Sequence, residues 1–226
     1  MIDQLKNSHI NHIRTFYKEY TIICWSSSLI GRNSKHGDID VYLIGDTKPD
    51  LSYRETGLIL DIEFVDIYNL SNIIEKLNDH ISFLDLTELK MLYKLATGKV
   101  ISEYKDNYTY LSNKIDLHLL QKSITFYWNS IYVSLMDDIS KFNNDNNYEA
   151  TLLQLFALIE SAEAIYLCNK GIPCIKRKWI HNDFISNYKN EYDDTFKNIL
   201  EKLESFDYKN FSLNVIDFCN TLRFNS

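Results

Sequence analysis

The chain has 226 residues, 45% of them hydrophobic, which is enough to bury a sizeable core and excludes a disordered chain. Its formal net charge of -7, from 24 basic and 31 acidic residues, provides no broad positive surface for nucleic acid, so a small molecule is the better-supported partner. The opening MIDQLKNSHINH has no apolar signal region and no uninterrupted apolar run approaches the ~20 residues of a membrane span, so the expectation is a cytoplasmic protein with no membrane partner.

Leu5, Ile10, Ile13 and Phe16 or Tyr17 recur at helical spacing between Gln4 and Tyr20, and the β-branched, aromatic run from Tyr20 to Trp25 follows as a strand. Ser26, Ser27 and Ser28 then lead into what reads as a short helix with Gly31 and Arg32. From Asp38 to Ile44 the pattern alternates, with Ile39, Val41 and Leu43 on the packing face and Asp38, Asp40 and Tyr42 on the outer one. Leu58 to Val65 repeats it, with Asp61 and Glu63 on one face, and the intervening GDTKPDLSYRETG suits a connection between neighbouring strands.

Helical texture begins past Asp66, with Leu70 to Leu77 and then Leu86 to Thr97, the latter capped by Asp85 with Glu88 three residues on and stopped by Gly98. Leu117, Leu120, Ile124, Trp128, Ile131 and Leu135 form a long stripe. The polar SKFNNDNNYE connects it to a second long helix, Tyr148 to about Asn169, ended by Gly171 and Pro173; two or three shorter helices fill the remainder. Cys24, Cys168, Cys174 and Cys219 have neither metal-ligand nor disulfide-framework spacing and read as buried thiols. The boundary lies between Ile101 and Tyr110, giving a mixed domain over 1–105 and an all-helical one over 106–226: an α+β chain.

Two carboxylates at i and i+2 on a strand leave the same face about 6.5 to 7 Å apart at the backbone. A third from an adjacent strand converges on the same point. Such an arrangement can hold two Mg²⁺ ions about 3.5 to 4 Å apart and leave positions open for triphosphate oxygens. Asp38, Asp40 and Asp61 meet that requirement, and hydroxyls with backbone N–H groups at Ser26 to Ser28 suit phosphate. Glu63 is a spare ligand or an exposed strand-end residue, and Arg32, Lys35 and His36 are either triphosphate contacts or a solvated basic loop.

SSSLIGRNSKHGDID and LILDIEF together resemble the motif of the DNA polymerase beta superfamily of nucleotidyltransferases: Gly-Ser, a loop with Gly or Arg, a DxD, then an acidic residue within an apolar strand. The resemblance implies a mixed sheet with flanking helices, Mg²⁺, and an NTP, ATP foremost, as substrate. It makes Asp38 and Asp40 paired metal ligands, Asp61 the third carboxylate, and Ser27 the phosphate-binding serine when Gly31 sets the register. Ser26 stands where the family has glycine, and a shift of one gives the role to Ser28.

The helical half resembles the kanamycin-type antibiotic nucleotidyltransferases more loosely. In TLLQLFALIESAEAIYLCN only Glu160 and Glu163 are charged, and whichever face packs, a carboxylate lies close to it. It is either ion-paired or placed for proton transfer; the resemblance implies the latter, favouring Glu163 over Glu160 as the base that takes an acceptor proton. Lys176, Arg177 and Lys178 form the tight basic cluster, and Lys178 is the triphosphate candidate by the same resemblance. The expected acceptor is a small hydroxylated molecule such as an aminoglycoside-like antibiotic. A toxin or defence enzyme acting on protein or tRNA, and a regulatory module that binds nucleotide without catalysis, stay open, as does pairing of two copies.

Overall fold

The computed structural model describes residues 7–30, 38–54, 59–79, 83–105, 107–204 and 208–224. The chain divides into two compact units, Met1–Leu120 and Gln121–Ser226.

In the first unit, α1 (Asn7–Phe16) precedes β1 (Thr21–Trp25), a 3-10 turn (Ser27–Ile30), β2 (Ile39–Gly45) and β3 (Leu60–Asp66). Two helices, α2 (Ile67–Asn78) and α3 (Leu86–Thr97), follow, then β4 (Lys99–Ser102) and the short α4 (Asn107–Ser112). The four strands form one mixed sheet in the order β3-β2-β1-β4. β1 is antiparallel to both β2 and β4, whereas β2 and β3 are parallel. The connection from Asp46 to Ile59 therefore returns the chain to the other end of the sheet instead of turning a hairpin.

β1 and β2 are the interior strands and are buried on both faces. One face carries Ile22, Cys24, Ile39, Val41 and Leu43, packed with Ile13 and Tyr17 and with Ile101 of β4. α1 is tied to that edge strand by Arg14, whose Nε donates to the Ile101 carbonyl at 2.7 Å. The opposite face, with Ile23, Trp25, Asp40 and Tyr42, lies under α3. That overturns the outer-face expectation for Asp40 and Tyr42, which are 5% and 1% exposed. Alternation marks which residues share a face; a covering helix removed the solvent from this one.

α3 is fixed at both ends. Asp85 accepts from the Glu88 N–H while the Glu88 carboxylate accepts from the Asp85 N–H, a complete capping box. At the other end Gly98 leaves no room for a side chain: a Cβ there would lie 2.5 Å from Ile23 Cγ2 and 2.7 Å from the Lys94 carbonyl oxygen. The helix consequently sits hard against β1. β4 and α4 escape the periodicity reading because each is too short to show a pattern.

The second unit is helical. α5 (Leu117–Asn144) brings the chain into it, followed by α6 (Tyr148–Asn169), α7 (Arg177–Glu204) and α8 (Tyr208–Phe224). The buried stripe of α5 runs through Leu120, Ile124, Trp128, Tyr132 and Ile139, while Leu117 is exposed. α6 starts at the Asn147 cap and is buried all round from Ser161 to Cys168. By length and composition it could cross a membrane, with a mean hydropathy of 1.4, yet 61% of that window is buried in the unit's core. Gly171, at φ +83°, ends it in the left-handed conformation, and Ile172 N–H reaches back to the Leu167 carbonyl at 2.9 Å. The expected set of shorter helices after it is instead one helix of 28 residues and one of 17. Nothing from Arg177 onward is glycine or proline, so nothing in the sequence breaks α7 early. All four cysteines are buried thiols.

Candidate active site

Parallel pairing puts Asp40 directly opposite Asp61, and Tyr42 directly opposite Glu63. Because residues two apart share a face, the three acidic side chains emerge together. One carboxylate oxygen from each of Asp40, Asp61 and Glu63 lies within 4.8 Å of the others. Like charges directly opposite oppose pairing, so the register is held by the apolar residues between them, Val41, Ile62 and Leu43 among them. Burial, followed by Glu63, Asp40 and Asp61, pushes the Tyr42 phenol up, and its hydroxyl donates to Glu63. The phenol thus senses all three acids.

Asp40 has a partner that the sequence did not announce. Lys94 Nζ, from α3, lies 2.7 Å from Asp40 Oδ1, and the two side chains are 1% and 8% exposed. The ammonium also lies 5.3 Å from the centroid of the Trp25 ring and 5.5 Å from that of Tyr42. Trp25 is held in turn by a 3.0 Å bond from Nε1 to Thr97 Oγ1, one turn further along α3. An unpaired ion at this depth costs several kcal/mol, so each charge here is tolerated because of the other and because of the aromatic walls. Lysine is so commonly a surface residue that its place in LKMLYKLATG raised no flag; the available signal was its position within an otherwise apolar turn.

The remaining predicted residues of the first unit divide by exposure. Asp38 is exposed, just before β2, and stands outside the trio of converging oxygens. Ser26 is fully buried, its hydroxyl 2.7 Å from that of Ser28, and its carbonyl accepts from Leu29 N–H at 3.0 Å. Ser27 and Ser28 are half-buried. Gly31, Arg32, Lys35 and His36 lie outside the described residues.

In the second unit the two candidate bases differ. Glu160 accepts two bonds of 3.0 Å from Arg177 Nε and a further one from Arg177 Nη2, which makes it the ion-paired carboxylate. Glu163 is 1% exposed; its Oε1 lies 2.8 Å from Nδ1 of His181, and its Oε2 is buried with no hydrogen-bond partner among the described residues. Burial pushes the Glu163 carboxyl up to about 7, with Glu160 adding to the rise, while His181 pulls against it. Cys219 of α8 faces the same carboxylate, and its thiol is pushed up chiefly by burial. The His181 side chain is 60% exposed, so the pair presents an imidazole, not a carboxylate, to solvent. Sequence reading missed His181 because the partners are 18 residues apart on different helices. Lys178 is exposed in the first turn of α7.

No protein-family model matches the sequence, and no curated protein matches it. Among solved structures, a nucleotidyltransferase-like protein from Exiguobacterium sibiricum 255-15 aligns with 100% of this chain and 75% of its own, at a TM-score of 0.50 and 15% sequence identity. The chain therefore has a nucleotidyltransferase-like α+β fold, a mixed four-stranded sheet with helices followed by a mostly helical half.

Proposed function

We propose that this chain is a nucleotidyltransferase that moves a nucleoside monophosphate from an NTP, ATP foremost, to a hydroxyl of a small acceptor with release of pyrophosphate. One observation carries the reading: three carboxylates from two adjacent parallel strands converge within 4.8 Å on a fold of this type. Their hard oxygen donors fit a divalent cation such as Mg²⁺. Bound by Asp40, Asp61 and Glu63, that ion would neutralise triphosphate charge and make the acceptor hydroxyl more acidic. Asp38, exposed just before β2, lies outside that trio.

The chain's own groups divide the remaining work. Ser27 and Ser28 would donate hydroxyl bonds to phosphate oxygens. Within the second unit, the buried Glu163 held to His181 Nδ1 at 2.8 Å is the pair we propose for proton transfer. Glu160 is occupied by Arg177. We further propose that the mixed part, 1–105, performs the chemistry and that 106–226 selects the acceptor, with aminoglycoside-like compounds as the first class to test.

The buried Lys94–Asp40 pair favours a second reading, a nucleotide-binding regulatory module without catalysis, because an ion pair can stabilise a fold that does no chemistry. Incubation with Mg²⁺ and each α-phosphate-labelled NTP, against a panel of aminoglycosides, tRNA and cell protein, separates the two. The expected result is label on a small acceptor, lost in Asp40→Asn and Asp61→Asn. Nucleotide binding with no label on any acceptor would give the second reading precedence, and label on tRNA or protein would reassign the acceptor.

A further inference from the structure

The ammonium of Lys94 has a built seat. Asp40 provides the hydrogen-bond acceptor, Trp25 of β1 and Tyr42 of β2 provide aromatic surfaces, and α3 provides the stem. The stem has little freedom to retreat, because the capping box fixes one end of α3 and the contact of Gly98 with Ile23 fixes the other. A lysine leaving the seat would strand Asp40 in a place water barely reaches.

Charge and distance then limit what else the carboxylates can take. The three converging acids carry three negative charges, and Lys94 already balances one. A divalent ion sits about 2.1 Å from its oxygen ligands, so one placed on Asp40 Oδ1 would stand next to the ammonium 2.7 Å from that same atom. Two like charges would then share one oxygen in a poorly solvated site, and the arrangement is strongly disfavoured.

Resting on the nucleotidyl-transfer reading above, we propose that Lys94 is a resident cation standing in for one of two divalent ions. The site would then bind one divalent ion, through Asp61, Glu63 and the other carboxylate oxygen of Asp40, together with the nucleotide. Lys94 acts through Asp40 and is a positioning residue: it holds that carboxylate in place and limits the number of ions at the site.

The test counts ions directly and needs no turnover. Mn²⁺ is titrated into the protein with α,β-methylene ATP, which cannot transfer its nucleotide, and the bound Mn²⁺ is counted and examined by electron paramagnetic resonance. The wild-type chain is expected to hold one Mn²⁺ per bound nucleotide with an uncoupled signal. Lys94→Arg, which keeps the charge, should do the same. Lys94→Met should admit a second Mn²⁺ and show the coupled spectrum of two neighbouring ions, a change that a merely structural lysine would not produce. Two Mn²⁺ in the wild-type chain, or one in a folded Lys94→Met, overturns the proposal and leaves the transfer reading standing. Retention of no Mn²⁺ beyond what the free nucleotide binds overturns both. Should Lys94→Met fail to fold, Lys94→Gln, which also removes the charge, takes its place in the same count with the same two outcomes.

Discussion

Asp40 in the first unit and Glu163 in the second are both nearly inaccessible carboxylates, yet they are compensated in opposite ways. Asp40 faces a lysine that is itself buried and walled by two aromatic rings. Glu163 faces an imidazole that is mostly exposed, and its second oxygen has no hydrogen-bond partner among the described residues. The lysine is sealed in with its acid, whereas the imidazole reaches water. The first arrangement suits a scaffold for cations, and the second suits a proton that must move.

Removing Lys94 should break the comparison most severely. Lys94→Met leaves Asp40 buried without its ammonium and is expected to cost about 3–5 kcal/mol, read by urea unfolding with hydrogen exchange at the β1 and β2 amides. Asp40→Leu combined with Lys94→Met should recover most of that loss, because an apolar pair carries no desolvation cost. Recovery of nothing would mean that Lys94 stabilises through packing alone.

The second unit should answer to pH instead. The folded carboxyl of Glu163 titrates at about 7, above the usual 4.5. The folded state therefore binds the proton more tightly, and the stabilisation is complete below about 4.5 and lost as pH rises through 7. The difference is worth about 3 kcal/mol. Glu163→Gln should flatten that slope in urea titrations between pH 4.5 and 8; an unchanged slope would assign it to other groups. Glu160, His181 and Cys219 face this carboxyl, so each belongs in the control set.

Two smaller effects sharpen the contrast between a rigid seat and an adaptable pair. Gly98→Ala forces a methyl against a backbone carbonyl and Ile23, and should cost about 1–3 kcal/mol while displacing Lys94 from Asp40. Arg177→Ala removes an ion pair whose arginine is 62% exposed, and its cost should stay below about 1 kcal/mol in thermal unfolding.

The sheet and its acidic pattern were legible because alternation is local: Asp38 and Asp40, then Asp61 and Glu63, declare their faces within a few residues. The α3 cap and the start of α6 after Asn147 were legible for the same reason. What escaped depends on tertiary contact. Asp40 and Tyr42 looked solvent-facing because no local pattern reveals that a later helix covers them. Lys94 and His181 are partners of acids far away in sequence, and neither residue type is unusual on a helix. A buried acid does, however, oblige the fold to supply a counterpart, and that obligation is the signal a sequence reading can use.

The register that sets Asp40 against Asp61 also has an evolutionary consequence. Facing acids in neighbouring strands are a local conflict within an otherwise consistent core, so the carboxylate outside the ammonium's reach weakens the fold that carries it. Under selection for heat resistance alone, replacement of Asp61 by a neutral, strand-favouring residue should arise early and raise the melting temperature, while Lys94 and Asp40 persist together.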